Sequence, residues 1–150
     1  MTSASRRRAK RHAVIIVGGG PIGLCLATDL GSRGIDCVLL EQTGNHTRSA
    51  RIMQISVSTM EICRRFGIAE KVKNWGFPKD FPWDNVWMTS LGGYELGRVK
   101  MASLAETRPS PFSPEFQCHC PQTWFEPILR DAAMAHPSAT FRFQTRLDSF

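Results

Sequence analysis

The chain has 150 residues, 42% of them hydrophobic, and a formal net charge of +6. This length suits one domain with a sizeable core, and no apolar run approaches the roughly 18 residues that a membrane-spanning helix needs. Five of the 19 basic residues lie between Arg6 and Arg11, and the remaining 14 nearly balance the 13 acidic ones. Residues 1–12 therefore read as a basic flexible tail, open to targeting or nucleic-acid contact but favoured as a solvated terminus. We expect no nucleic-acid partner and no stable membrane insertion.

Five cysteines make an odd count without the spacing of a disulfide framework. This usage predicts a reduced, intracellular and cytoplasmic protein. The sequence Cys118-His119-Cys120 does not have the usual spacing of a metal site, and no second pair of ligands accompanies it. We therefore predict no metal.

The first structured region is a strand, a glycine-rich turn, a helix and a second strand. Residues 13–17 are apolar, residues 18–23 read G-x-G-x-x-G, and residues 35–40 form a second apolar run that ends in Glu41. The helix between them is predicted to end at Gly34 and to use one apolar face, formed by Ile22, Cys25, Leu26 and Leu30. The order and spacing predict a βαβ unit that binds a dinucleotide.

Each conspicuous residue of this unit has a physical role in that prediction. Gly18 allows a tight turn, Gly20 leaves room for a pyrophosphate, and Gly23 permits close packing of helix on sheet. Pro21 suits the first helical turn, and the helix N-terminus offers N–H groups to phosphates. Glu41 can accept hydrogen bonds from both ribose hydroxyls and would repel the 2′-phosphate of NADP. The motif alone does not distinguish FAD from NAD.

The later elements depart from regular alternation of strand and helix. The predicted order is a loop (43–51), a helix capped at Ser58–Glu61 and ended by Gly67, a short helix (69–75), a hairpin (85–101) with a two-residue Gly92–Gly93 turn, a loop (103–121), a helix (123–135) begun by a Thr123–Glu126 capping box, and a strand (140–147). The apolar faces are predicted as Ile62, Cys63 and Phe66 in one helix and Trp124, Ile128, Leu129 and Ala132 in the other. Because an antiparallel hairpin interrupts the set, we infer a dinucleotide domain split by a second, β-containing domain.

Four separated blocks of the sequence resemble one family. They are residues 17–24, residues 49–52 with 59–68, residues 89–98, and residues 121–130. Together they resemble the N-terminal part of the class A FAD-dependent aromatic monooxygenases, which have the p-hydroxybenzoate hydroxylase-like fold. The similarity is greatest to the phenol hydroxylase and chlorophenol monooxygenase branch.

The resemblance implies FAD as cofactor and NADPH or NADH as co-substrate. It places a flavin-contacting arginine at Arg51 and a glutamine near the ribityl-phosphate region at Gln122. The implied cofactor-binding residues are Gly18, Gly20, Pro21, Ile22, Gly23, Glu41, Gln42, Arg51 and Gln122. No residue of this chain is assigned as a catalytic acid or base.

The implied fold class is α/β, a Rossmann-type FAD-binding βαβ unit with an inserted antiparallel β hairpin of a substrate domain. The implied domains are residues 13–76 for FAD binding, 77–120 for the start of the substrate domain, and 121–150 for the return to the FAD-binding domain, with the remainder of the family fold missing. The implied function is hydroxylation of a small aromatic, phenol-like substrate, and the full-length form is compatible with an oligomer. The alternatives are an NAD-linked Rossmann dehydrogenase and an inactive truncated flavin-binding remnant.

Overall fold

A computed structural model of the chain describes residues 11–44 and 51–149. Its elements in chain order are β1 (Val14–Val17), α1 (Pro21–Ser32), β2 (Cys37–Leu40), β3 (Gln54–Ile55), α2 (Val57–Arg65), α3 (Ala69–Lys73), β4 (Asn85–Met88), β5 (Glu95–Val99), β6 (Cys118–His119), α4 (Gln122–Met134) and β7 (Ala139–Arg142). They fall into two compact units, residues 1–48 with 126–150 and residues 49–125. Most of the predicted tail and most of the predicted 43–51 loop, including Ser49 and Ala50 of the second family block, lie outside the described residues.

The first unit contains a three-stranded parallel sheet in the order β1-β2-β7. Strand β2 is central, and its residues 37–39 are buried, as expected for a parallel strand covered on both faces. The three predicted strands are thus confirmed with shorter bounds. Strand β7 ends at Arg142 rather than residue 147, because Gln144 adopts a positive φ of 52° and turns the chain.

Helix α1 begins at Pro21 as predicted and is followed by Gly34, which has a φ of +71°. The predicted apolar face of this helix is wrong, because its buried residues are Leu24, Ala27, Thr28 and Gly31, whereas Ile22 is 83% exposed. Small residues let the helix approach its neighbours closely. A Cβ placed on Gly31 would lie 2.7 Å from the Cβ of His136.

In the second unit, helix α2 is capped by Ser56 rather than by the predicted Ser58–Glu61 box. The hydroxyl of Ser56 accepts a hydrogen bond from the backbone N–H of Thr59 at 3.3 Å, since the helix begins directly after β3. The predicted end is confirmed: Gly67 has a φ of +73°, and the N–H of Ile68 donates to the carbonyl of Cys63 at 2.9 Å. The buried residues are Met60 and Cys63, so the predicted face is correct only at Cys63.

Strands β4 and β5 form the predicted antiparallel hairpin, but its turn differs from the prediction. The N–H of Thr89 donates to the carbonyl of Tyr94, and the N–H of Gly93 donates to that of Ser90, so four residues form the loop. Neither Gly92 nor Gly93 has the positive φ that a two-residue primed turn requires. An irregularity at Trp87/Met88 shifts the register and accommodates the longer loop.

A second ribbon, in which β3 pairs with β6 antiparallel, was not predicted. Strand β6 lies within the segment 103–121 that was predicted as loop. A strand of two residues is too short to show an alternation of apolar and polar side chains, so the sequence pattern does not reveal it. Helix α4 begins at Gln122, so Thr123 is already helical and the predicted capping box is wrong. Its buried residues include Phe125, Leu129 and Ala133, so the predicted face is confirmed at Leu129 and wrong at Trp124, which is 54% exposed.

No helix within residues 11–44 and 51–149 has both the length and the apolar character needed to span a bilayer.

Candidate cofactor site

The glycine turn between β1 and α1 has the backbone geometry that the sequence predicted. Gly18 has a φ of +105°, a conformation that side chains with a Cβ rarely adopt. A Cβ added to Gly23 would collide with the backbone carbonyl of Gly18, whereas one added to Gly20 would meet no atom within 4 Å. Two of the glycines are therefore required by the fold itself, and Gly20 instead borders open space.

The N-terminus of α1 opens onto this space. Gly20 is the N-cap residue, no side chain caps the helix, and Pro21 occupies the first turn. The adjoining groove has a volume of about 410 Å³ and is lined by the glycine turn together with apolar side chains, among them Ile15, Val17 and Ile22. Uncapped N–H groups and the positive end of the helix dipole are suited to binding an anion such as a diphosphate.

Glu41, at the end of β2, points back to the glycine turn. Its Oε2 accepts a hydrogen bond from the Gly19 N–H at 2.7 Å, and its Oε1 accepts from the Thr43 N–H and hydroxyl, both at 2.7 Å. Partial burial disfavours the charged form, but these hydrogen bonds outweigh burial and lower the pKa of the Glu41 carboxyl. The site therefore carries a fixed negative charge at neutral pH.

The same three hydrogen bonds limit what Glu41 can bind. A carboxylate has about four lone-pair positions, so one acceptor position remains once three are used. Accepting from two ribose hydroxyls, as the sequence predicted, would require one of the bonds to Gly19 or Thr43 to be given up. In this structure the Glu41 carboxylate can therefore accept one ribose hydroxyl directly, and it can accept two only after a local rearrangement.

A smaller cavity of about 180 Å³ lies beside Glu41 and includes residues that sequence reasoning missed. The predicted residues Glu41 and Gln42 line it together with Thr145 and Arg146, which sequence reasoning missed. The segment after β7 is held there because the Thr145 N–H donates to the Glu41 carbonyl at 2.9 Å. No sequence motif around Thr145 or Arg146 identifies them as site residues, because their place beside Glu41 follows from the pairing of β7 with β2.

The remaining two predicted site residues, Arg51 and Gln122, lie in the second unit and contact each other. The backbone N–H of Arg51 donates to Oε1 of Gln122 at 2.9 Å, although 71 positions separate them. The Arg51 side chain is exposed. The structure thus brings the predicted residues together as two sets, the glycine turn with Glu41 and Gln42 in one unit and Arg51 with Gln122 in the other.

The Cys118-His119-Cys120 segment is part of the packing of the second unit. Burial raises the pKa of the Cys118 and Cys120 thiols to about 12, which disfavours the thiolate that a metal would need. Burial also lowers the pKa of His119, whose ring stacks on Phe77 with centroids 5.6 Å apart. Across the described part of the chain, no group of three or more His, Cys, Asp or Glu residues is arranged to hold a metal.

A parallel β-α-β unit with a glycine turn and an acidic residue after its second strand defines a Rossmann-type dinucleotide-binding fold. Comparison with known proteins specifies the family. The family described as FAD binding domain matches residues 11–150, and the chain belongs to that family. This confirms the resemblance to FAD-dependent monooxygenases and the α/β fold class.

Among curated relatives, the chain is 37% identical to tetracenomycin B2 monooxygenase-dioxygenase of Streptomyces olivaceus, a match covering 91% of this chain and 28% of the relative. It is 31% identical to 2,4-dichlorophenol 6-monooxygenase of Delftia acidovorans, covering 91% of this chain and 24% of that protein. The chain thus spans about a quarter of the length of these relatives.

Solved structures show the same relation. The rebeccamycin biosynthetic enzyme RebC with reduced flavin matches with a TM-score of 0.84 and 36% identity, covering 93% of this chain and 26% of that one. The flavin-dependent monooxygenase PieE in complex with FAD and substrate matches with a TM-score of 0.76 and 28% identity, covering 91% and 24%. FAD is the cofactor of the family, and the open space at Gly20, the uncapped helix and the ionised Glu41 fit its adenosine diphosphate half.

Proposed function

We propose that this chain supplies the N-terminal FAD-binding part of a monooxygenase that hydroxylates a small aromatic, phenol-like substrate using NADPH or NADH and O₂. The names of the monooxygenase relatives support the reaction class. The observation that carries the proposal is the glycine turn, which leaves open space at an uncapped helix N-terminus beside the Glu41 carboxylate.

The proposed roles follow the two sets of residues. The turn residues Gly18, Gly20, Pro21, Ile22 and Gly23 border the diphosphate, while Glu41 and Gln42 hold the ribose. Arg51 and Gln122 serve the flavin portion, as the family resemblance implies. The domain assignment, with residues 13–76 and 121–150 binding FAD and residues 77–120 beginning a substrate domain, is part of the same proposal.

FAD supplies the electron transfer and oxygen activation when it is bound. The residues of this chain bind and orient it. The N–H groups of α1 neutralise diphosphate charge, and the ionised Glu41 accepts from the ribose and repels a 2′-phosphate. The guanidinium of Arg51 offers a planar set of donors to phosphate or flavin oxygens. No side chain of the chain is assigned a proton-transfer step.

The test is titration of the purified chain with FAD, followed by flavin fluorescence and the visible flavin spectrum. We expect FAD to bind in preference to NAD and NADP, and Glu41→Ala to weaken FAD binding. Binding of NAD without FAD would favour a dehydrogenase, and binding of neither would indicate a remnant without cofactor. The chain alone is expected to lack NADPH-driven hydroxylation.

We also propose an intracellular, cytoplasmic location. The five cysteines have no disulfide-framework spacing and four of them are buried, which supports a protein kept in a reducing compartment. A reporter fusion that accumulated in an oxidising compartment with disulfides formed would contradict this assignment.

A further inference from the structure

Two of the three hydrogen bonds that the Glu41 carboxylate accepts come from backbone groups that are held in place. The Gly19 N–H belongs to a buried residue, so losing its bond to Oε2 would leave a polar group unpaired. The Thr43 N–H is fixed because the Thr43 carbonyl accepts from the Gln144 N–H at 3.0 Å. The Glu41 carbonyl likewise accepts from the Thr145 N–H at 2.9 Å. We therefore expect both backbone bonds to persist when a ligand binds.

The third hydrogen bond comes from the Thr43 hydroxyl, which has two acceptors within reach. Its Oγ1 lies 2.7 Å from Oε1 of Glu41 and 3.2 Å from the carbonyl oxygen of Gly44. A hydroxyl group has a single proton to donate, so it makes one of these two bonds fully at a time. A small movement of this exposed side chain exchanges one acceptor for the other, and the hydroxyl is not left unpaired.

We infer that Thr43 determines how the Glu41 carboxylate shares its acceptor positions between the two ribose hydroxyls. The Thr43 hydroxyl holds one position on Oε1 and yields it to a ribose hydroxyl by turning to the Gly44 carbonyl. Glu41 then keeps one backbone bond on each carboxylate oxygen and offers one further position on each to the 2′ and 3′ hydroxyls. This inference rests on the proposed function, because the ligand is the ribose of an adenosine diphosphate.

The exchange makes the two ribose hydroxyls unequal in their contribution to affinity. The hydroxyl that binds Oε2 gains a whole hydrogen bond, because only the Gly19 N–H contacts that oxygen in the structure. The hydroxyl that binds Oε1 gains only the difference between its own bond and the one that Thr43 gives up. Removing the Thr43 hydroxyl should therefore make both ribose hydroxyls contribute fully.

Titration calorimetry with ADP, 2′-deoxy-ADP and 3′-deoxy-ADP tests this inequality. In wild type we expect one deoxy analogue to bind about three- to tenfold more weakly than ADP, the range of one net hydrogen bond, and the other to bind within about twofold of ADP. In Thr43→Val, which keeps the shape but lacks the hydroxyl, both analogues should bind about three- to tenfold more weakly than ADP. Thr43→Ser keeps a hydroxyl and is the matched control, so it should retain the wild-type pattern.

The results that contradict the inference differ from those that contradict the proposed function. Two analogues that are equally weak in wild type, or one analogue that binds like ADP in both wild type and Thr43→Val, would overturn the inference alone. Weaker binding of ADP by Thr43→Val would also overturn it, because the hydroxyl would then hold the carboxylate for the ligand and not yield to it. Absence of ADP and FAD binding in wild type would contradict the proposed function and the inference together.

An NMR titration of the Glu41 carboxyl provides a readout that needs no ligand. Partial burial raises the pKa of this carboxyl, but the bonds from the Gly19 N–H and from the N–H and hydroxyl of Thr43 outweigh burial and lower it. Thr43→Val removes one of these bonds and should raise the pKa of Glu41, whereas Thr43→Ser should leave it unchanged. An unchanged pKa in Thr43→Val would show that the hydroxyl does not hold Oε1, and would overturn the inference whatever the chain binds.

Discussion

The two units of this chain organise their charged groups in different ways. In the first, the candidate site is built from backbone: Gly18 and Gly20 provide conformation and space, and the Gly19 N–H holds the Glu41 carboxylate. In the second, side chains from distant positions pair with each other, as Lys73 does with Glu115 at 2.8 Å. The first arrangement lies within 24 consecutive residues, while the second exists only after the chain has folded.

This difference has consequences for substitution. A site built from backbone groups loses its ligand when a side chain is added at a glycine, and this loss of binding need not change the free energy of unfolding. A tie between buried side chains fails when one partner is removed, because the other keeps its charge away from water. We therefore expect added side chains to be most harmful at the glycine turn of the first unit, and removed side chains to be most harmful at the buried ion pair of the second.

The largest expected effect is on stability in the second unit. Lys73 and Glu115 are 14% and 6% exposed, and Lys73 also lies 3.0 Å from Glu70. Lys73→Met would leave the Glu115 carboxylate buried without its partner and should lower the free energy of unfolding by about 3–5 kcal/mol. Denaturant unfolding measures the change. Glu70→Gln, whose side chain is 78% exposed, is the control and should cost less than about 1 kcal/mol.

The pH dependence of this ion pair has a defined sign. Burial disfavours the charged form of Lys73, but the hydrogen bonds that its amine donates to Glu115 and Glu70 outweigh burial and raise the pKa of the amine above its ordinary value of 10.5. The contribution of Lys73 to stability is therefore complete below pH 10.5 and lost as the pH rises through the higher folded value. A Lys73→Met variant as stable as wild type at neutral pH would show that the buried pair is not what holds this unit.

The second prediction concerns the packing of the first unit. Gly23→Ala places a methyl group against the Gly18 carbonyl, a backbone atom that cannot rotate away, and should lower the free energy of unfolding by about 1–3 kcal/mol. Gly44→Ala is the control, because among the residues that the structure describes no atom lies within 4 Å of its added Cβ. Equal stability of the two variants, measured by denaturant unfolding, would contradict the close approach of α1 to the turn.

The same contrast explains which features could be predicted from sequence. Strand, turn and helix around Gly18–Gly23 are encoded by local pattern, and the helix ends at Gly34 and Gly67 are encoded by the need for positive φ. The β3–β6 ribbon could not be predicted, because its two-residue strands have no period and their pairing joins distant positions. The buried face of α1 was misjudged because apolar residues occur around the helix, and the side that packs is set by small residues.

For the candidate site, Glu41 could be predicted from its place at the end of a strand. The hydrogen bonds that its carboxylate already accepts from Gly19 and Thr43 could not be predicted. Thr43 takes two of its hydrogen bonds, and this competition with a ligand is visible only in the folded structure. Likewise, the sequence suggested Arg51 and Gln122 separately through family resemblance, whereas their hydrogen bond depends on the ribbon between them.

The third prediction is a pH effect on the first unit. The hydrogen bonds from Gly19 and Thr43 outweigh partial burial and lower the pKa of Glu41 below its ordinary value of 4.5, so its contribution to stability is present above pH 4.5 and lost as the pH falls through the lower folded value. Glu41→Gln should lower the free energy of unfolding at pH 7 by about 1 kcal/mol. It should also flatten the acid limb of the stability profile, measured as the unfolding midpoint against pH. An unchanged acid limb would show that other carboxyls govern it.

The smallest expected effect on stability is also the one that best separates binding from folding. Gly20 is the N-cap of α1 with a φ of −76°, and an added Cβ meets no atom within 4 Å, so an aspartate fits without strain. Aspartate is a favoured N-cap residue and complements the helix dipole, so Gly20→Asp should raise the free energy of unfolding by about 0.5 kcal/mol.

The same aspartate carboxylate would occupy the space that the FAD diphosphate needs and would place a negative charge there, so FAD affinity should fall by more than about tenfold, or 1.4 kcal/mol. Gly20→Ala, which adds bulk without charge, should give a smaller loss of affinity. Denaturant unfolding and FAD titration on the same samples measure both quantities. A Gly20→Asp chain that binds FAD as tightly as wild type would show that the diphosphate does not bind at this turn.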